Sequence, residues 1–110
     1  MSFPTSQNRQ RHVVSKLRKS AKGKPCCLQI FPYCQENRET VVLCHINSPG
    51  KGMGIKSPDF FAVYGCSICH DIIDGRAKTL IDKDEILMCQ MRGLYRTWEI
   101  MIDEGLIKVA

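Results

Sequence analysis

Apolar residues recur at alternating four- and three-residue steps through the last third of the chain, at Leu87, Met91, Leu94, Trp98 and Met101. A helix gathers such positions on one side, so the spacing predicts a helix over residues 82–104, which Asp82 can cap and Gly105 can end. At about 1.5 Å per residue it would run some 33 Å, enough to be the main packing element of a small domain. The stripe reads as core rather than as a set of ligands.

Residues 39–46 carry the best strand pattern, because they are rich in β-branched side chains. There Val41, Leu43 and His45 share one face, and Val42, Cys44 and Ile46 share the other. Residues 28–33 are apolar but interrupted by Pro32, so they make at best a short edge strand. Residues 60–64 fit either a short turn or helix capped by Asp59 or, from the alternation of Phe61 and Val63, a strand. A helix is expected over residues 67–74, ended by Gly75. Residues 11–21 fit a short basic helix with Val13, Val14 and Leu17 on one side and Gly23 as its stop. Residues 47–58 hold three glycines and two prolines and read as a loop carrying Lys51 and Lys56. The mixture predicts an α+β domain, with no internal repeat.

With 110 residues the chain has room for one domain and a modest core that a bound metal would reinforce. A partly disordered basic arm is expected over residues 1–24 and the folded domain over residues 25–110. No apolar run approaches a membrane span and the N-terminus is polar, so a soluble, cytoplasmic protein is expected. The formal charge of +5 is concentrated in Arg9, Arg11, Lys16, Arg18, Lys19, Lys22 and Lys24, which precede the first acid, Glu36; the remainder has nine basic against eleven acidic residues. An arm of this kind suits nucleic-acid phosphates, although a solvated terminus has the same composition.

Seven cysteines in a cytosolic chain point to metal ligands or buried thiols rather than disulfides, and an odd number cannot all pair internally. Cys66 and Cys69 have the CxxC spacing that lets two thiolates reach one ion from a tight turn, and a tetrahedral zinc site needs a second pair. Cys26 and Cys34 are the natural one. Cys27 competes with Cys26, which is favoured because it follows Pro25; Cys44 and Cys89 read as core. His45 ends a strand just before a Gly/Lys loop, where a neutral imidazole can take a proton from water, although an ordinary partly buried histidine would occupy the same position. His70 is either a zinc ligand, a plain helix N-terminal residue, or a ligand for a second, catalytic cation. In the last case Asp74, one turn on, is its natural partner, with Asp71 and Asp59 as further candidates.

These residues together resemble the prophage-encoded YbcO-like nucleases, within the His-Me finger (HNH-like) class. The matching elements are Pro25-Cys26, Cys34, residues 39–45 (ETVVLCH), 52–59 (GMGIKSPD), 66–71 (CSICHD), Ile73-Asp74 and 104–108 (EGLIK), so that the likeness covers roughly residues 17–110. CxxCH alone is also a haem-attachment pattern, which the other cysteine pair and the polar N-terminus argue against.

The resemblance implies a zinc-stabilised ββα-metal fold packed on the long C-terminal helix, in a protein of the bacterial host cytoplasm. It implies His45 as general base and His70 as the metal-binding histidine of the finger helix, with Asp59 where HNH proteins commonly place asparagine and Cys44 where many have a metal-binding histidine or aspartate. The expected function is a metal-dependent DNA endonuclease. Its cofactors would be a structural Zn²⁺ on Cys26, Cys34, Cys66 and Cys69, and a catalytic Mg²⁺, Mn²⁺ or Ni²⁺ at His70 and Asp74. Lys51, Lys56 and Arg76 would grip the DNA backbone with little sequence specificity. The rivals are a non-catalytic zinc-stabilised DNA-binding or recombination-accessory module, and an adaptor in which the long helix forms a homodimer.

Overall fold

The computed structural model describes residues 16–46 and 58–109. Its elements, in order, are helix α1 (Lys16–Ser20), a 3-10 turn (Arg38–Thr40), strands β1 (Val42–His45) and β2 (Ala62–Gly65), helix α2 (Ser67–Ile73) and helix α3 (Lys83–Asp103). The fold is a small α+β arrangement of a two-stranded sheet and a long C-terminal helix. The strands pair antiparallel, with Val42 opposite Gly65 and His45 opposite Ala62. The ladder gains one more step where the Ile46 N–H donates to the Phe61 carbonyl at 3.2 Å.

Every residue of β2 is buried. Residues opposite one another share a face, so Leu43, His45, Ala62 and Tyr64 lie on one side, where the Tyr64 hydroxyl meets Ser20 of α1 at 2.6 Å. Leu17 and Ala21 carry α1 into the same core. Cys44 and Val63 lie on the other side, against α3, where a Cβ built on Gly93 would stand 2.7 Å from Val63 Cγ1 and 3.0 Å from the Cys27 carbonyl oxygen. The helix therefore approaches the strand more closely than any residue other than glycine permits.

The outer edge of β2 has no third strand among the described residues, and two groups satisfy it instead. The Tyr64 N–H donates to the Thr97 hydroxyl at 3.1 Å. The Tyr64 carbonyl accepts from the Cys27 N–H at 2.7 Å. Among the described residues Thr97 is the buried polar residue of the core, with no exposure at all. A Thr97→Val substitution keeps the shape but strands a buried N–H, and should destabilise the fold by roughly 1–3 kcal/mol in a denaturant melt.

Two expectations need correction. Residues 28–33 form no strand. The backbone tie to β2 is made by Cys27, just before them, after which Gln29 sits at φ 48°, in the left-handed region, and residues 31–33 turn around a cis Phe31–Pro32 bond. Within α3, Leu94 and Met101 of the predicted stripe are buried and Trp98 is partly so, but Leu87 and Met91 are more than half exposed. The buried ridge is instead Cys89, Gly93, Thr97 and Met101, at four-residue steps, because the close approach at Gly93 fixes which face meets β2.

The strand expected over residues 39–46 is confined to its second half, its start being the 3-10 turn that Asn37 caps by accepting from the Glu39 N–H at 3.1 Å. The segment left open at residues 60–64 is the strand β2. The expected helix at residues 67–74 is α2, after which Gly75 turns the chain at φ 80°. Asp82 caps α3, and Asp84 and Glu85 in its first turn suit the positive end of the helix dipole. Of the basic helix expected over residues 11–21, residues 16–21 fall within the described residues, and α1 covers Lys16–Ser20.

Candidate metal centre and histidine site

Two stretches of chain, residues 26–34 and 66–69, converge on one cluster of sulfurs. Cys66 precedes α2 and Cys69 lies in its first turn. Cys26 directly precedes Cys27, which bonds the edge of β2, and Cys34 follows the residue 31–33 turn, its N–H donating to the Ile30 carbonyl at 2.8 Å. The Sγ atoms of Cys26, Cys34, Cys66 and Cys69 all lie within 4.8 Å of one another, and all four residues are buried. Cys34 and Cys66 sulfurs are 3.9 Å apart, close to the edge of about 3.8 Å for a tetrahedron with metal–sulfur bonds of about 2.3 Å. Backbone N–H groups point at two of the sulfurs: Cys66 N at Cys26 Sγ (3.3 Å) and Ile30 N at Cys69 Sγ (3.5 Å). Donors aimed at sulfur stabilise thiolate charge.

The proton balance also suits a cation. A hydrogen bond from the Cys69 thiol holds Cys26 down to about 4 against the opposing effect of burial. Burial pushes Cys34 up to about 12. Cys69 is pushed far above the usual thiol range, chiefly because its proton is held by the Cys26 sulfur. Without a positive ion Cys26 is therefore favoured as the thiolate, with Cys34 and Cys69 held as thiols. A divalent cation removes that limit, and the four cysteines can hold a metal ion such as zinc. Cys27 stands apart, its thiol donating to the Pro25 carbonyl at 3.7 Å. Cys44 is buried in the sheet, donating to the Val42 and Gly65 carbonyls, and burial raises its pKa.

His45 ends β1 on the face that α1 covers. Its Nε2 lies 2.7 Å from Asp59 Oδ1, with the two side chains 22% and 17% exposed. The same oxygen lies 3.4 Å from Arg18 Nε of α1. A carboxylate only accepts, so in neutral His45 the proton sits on Nε2 and the lone pair on Nδ1. Arg18 was not singled out in the sequence beyond its place in the basic arm. The hint available there was the i, i+4 pair Leu17 and Ala21, which docks α1 and so directs its neighbour toward the site.

On α2, His70 Nε2 and Asp74 Oδ2 are 3.1 Å apart, one helical turn from each other. Arg76 lies 2.8 Å from Asp74 and 3.5 Å from Asp71, so Asp74 is shared between an imidazole and a guanidinium. Among the described residues, the four-cysteine cluster alone brings three or more potential ligands within reach of one ion; His70 and Asp74 form a pair. Asp59 sits with His45. Lys51 and Lys56 lie outside the described residues.

A family model described as "Putative nuclease YbcO" matches residues 15–106, a span that holds all four clustered cysteines together with His45, Asp59, His70 and Asp74. The chain belongs to the YbcO family. YbcO relatives include "Putative nuclease YbcO" of Escherichia coli strain K12, 42% identical over 96 residues that make up 86% of this chain and 99% of the relative. The "Putative nuclease ybcO" of Enterobacteria phage 82 matches to the same extent. Among solved structures, a "putative bacteriophage protein" from Escherichia coli K-12 MG1655 superposes with a TM-score of 0.68 at 39% identity, covering 82% of this chain and all of that one. Among the described residues of this YbcO-family chain, no helix is long and apolar enough to cross a membrane.

Proposed function

We propose that this YbcO-family chain is a metal-dependent DNA endonuclease of the His-Me finger (HNH-like) class, with a structural zinc on Cys26, Cys34, Cys66 and Cys69. The observation that carries the reading is the 2.7 Å contact between His45 and Asp59. It fixes the imidazole at the end of a strand with Nδ1 as the basic nitrogen. The names of the relatives and the order β1, β2, α2 support the same reading.

In this mechanism Asp59 holds the Nε2 proton, and Nδ1 accepts a proton from water as the oxygen attacks a backbone phosphorus. The P–O bond to the leaving oxygen breaks, and His45 is left as an imidazolium beside the Asp59 carboxylate, which stabilises it. His70 and Asp74, 3.1 Å apart, would hold the catalytic divalent ion. When bound, that ion would stabilise charge on the phosphate and the leaving oxygen. Arg76 must swing off Asp74 for this, which frees it for a phosphate. Arg76, Lys51, Lys56 and the N-terminal arm then grip the backbone, giving affinity that falls steeply with salt and carries little base specificity.

The test is cleavage of single-stranded and duplex DNA by zinc-loaded protein with added Mg²⁺, Mn²⁺ or Ni²⁺, beside folded His45→Ala protein. Metal-dependent cutting lost in the variant supports the reading; no cutting, or equal cutting by both, rejects it. An Asp59→Ala variant should lose roughly 10–100-fold in kcat with little change in KM, because it frees the imidazole without removing it. Arg76 on Asp74, with no third ligand beside His70 among the described residues, favours the alternative of a zinc-stabilised DNA-binding or recombination-accessory module.

A further inference from the structure

Phe60 is 55% exposed and directly follows Asp59, the partner of His45. An isolated apolar side chain on a surface needs no explanation, but this one is held where it is. The Phe60 carbonyl accepts from Trp98 Nε1 of α3 at 2.7 Å. On either side, the Phe61 N–H donates to the Pro58 carbonyl at 2.9 Å and the Phe61 carbonyl accepts from Ile46 N at 3.2 Å. Phe61 packs against the core, so the segment already has its inward aromatic position and Phe60 is the outward one. A rigid backbone thus presents a phenyl group to water within one residue of the His45 and Asp59 dyad, while Arg18 touches the same carboxylate from α1.

We infer that Phe60 is a stacking platform for an unpaired base next to the scissile phosphate, and that the substrate class of this site is single-stranded or locally unpaired DNA. The inference rests on the nuclease reading above. An aromatic face accepts any base, which agrees with backbone recognition and weak sequence preference. In a paired duplex the base faces are covered by their neighbours, and one must be unstacked before it can reach Phe60. Arg18, whose Nε lies 3.4 Å from Asp59, the residue before Phe60, supplies a cation for the phosphate of the same nucleotide.

The test compares single-turnover cleavage of a labelled single strand, its perfect duplex, and a duplex with an unpaired bulge. The expected result for the wild-type protein is faster cutting of the single strand and the bulge by roughly tenfold or more. Phe60→Ala should collapse that preference by lowering the unpaired rates roughly 5- to 100-fold, and Phe60→Leu should do the same. Phe60→Trp should keep it, since a ring rather than bulk is what is needed. Zinc content and melting temperature should match wild type in all three variants. Parallel losses on paired and unpaired substrates, or full activity in Phe60→Leu, would overturn the inference. Wild-type cutting no faster than His45→Ala on every substrate would instead reject the nuclease reading itself, and this inference with it.

Discussion

Stripping the metal from the cysteine cluster should abolish the cooperative melt of this protein. All seven cysteines are buried, and four of them form the joint where β2, α2 and the residue 26–34 segment meet. Leu28, Ile30 and Ile72 add buried apolar contact from the same elements, but those elements are short. The strands are four residues long and make a two-stranded sheet, which is at best marginal alone. Helix α2 has seven residues, too short to persist by itself. Zinc binding to such ligand sets is worth about 10–16 kcal/mol, as large as the whole stability of an ordinary domain at about 5–15 kcal/mol. Stringent chelation followed by circular dichroism should therefore show loss of the transition, restored by added Zn²⁺. Cys69→Ser should not bind its metal stoichiometrically, whereas Cys89→Ala, on α3 and outside the cluster, should keep one zinc per chain and a cooperative melt. A sharp melt that survives complete metal removal would refute the structural role of the cluster.

The parts of this fold that were legible in the sequence are those set by local chemistry. Asp82 and Gly105 mark the ends of α3 because capping and left-handed backbone favour particular residue types. The four clustered cysteines stand out because their spacing is set by the reach of ligands around one ion rather than by packing. The buried face of α3 was not legible, because large apolar residues dominate a periodicity count while the contact with β2 is made by Cys89, Gly93 and Thr97, which are small. The strand β2 could not be separated from a turn, because its edge partners Thr97 and Cys27 lie far away in sequence. Residues 28–33 read as an apolar run, yet Ile30 N–H is directed to the Cys69 sulfur, so the backbone there follows the cluster and not a sheet. At the histidine site, His45 and Asp59 were both visible as candidates, but the convergence of Arg18 on the same oxygen depends on how α1 docks through Leu17, Ala21 and Ser20.

Replacing His45 by alanine should lower kcat for DNA cleavage by roughly 10²–10⁴-fold, the usual contribution of a positioned general base. The fold should tolerate the change. His45 and Asp59 are both partly exposed, and Asp59 keeps the Arg18 guanidinium when the imidazole is gone, so its carboxylate is not left without a cation. The melting temperature should stay close to wild type, and DNA affinity at a given salt should change little, because phosphate contacts come from basic side chains elsewhere. Truncation also opens a space beside Asp59 that a free imidazole can enter, so millimolar imidazole should restore part of the lost rate in His45→Ala. That rescue separates loss of a base from loss of structure. If the variant instead cuts as well as wild type, with the same metal requirement, proton removal does not pass through His45, and the reading reverts to a zinc-stabilised module whose charge binds DNA without cutting it.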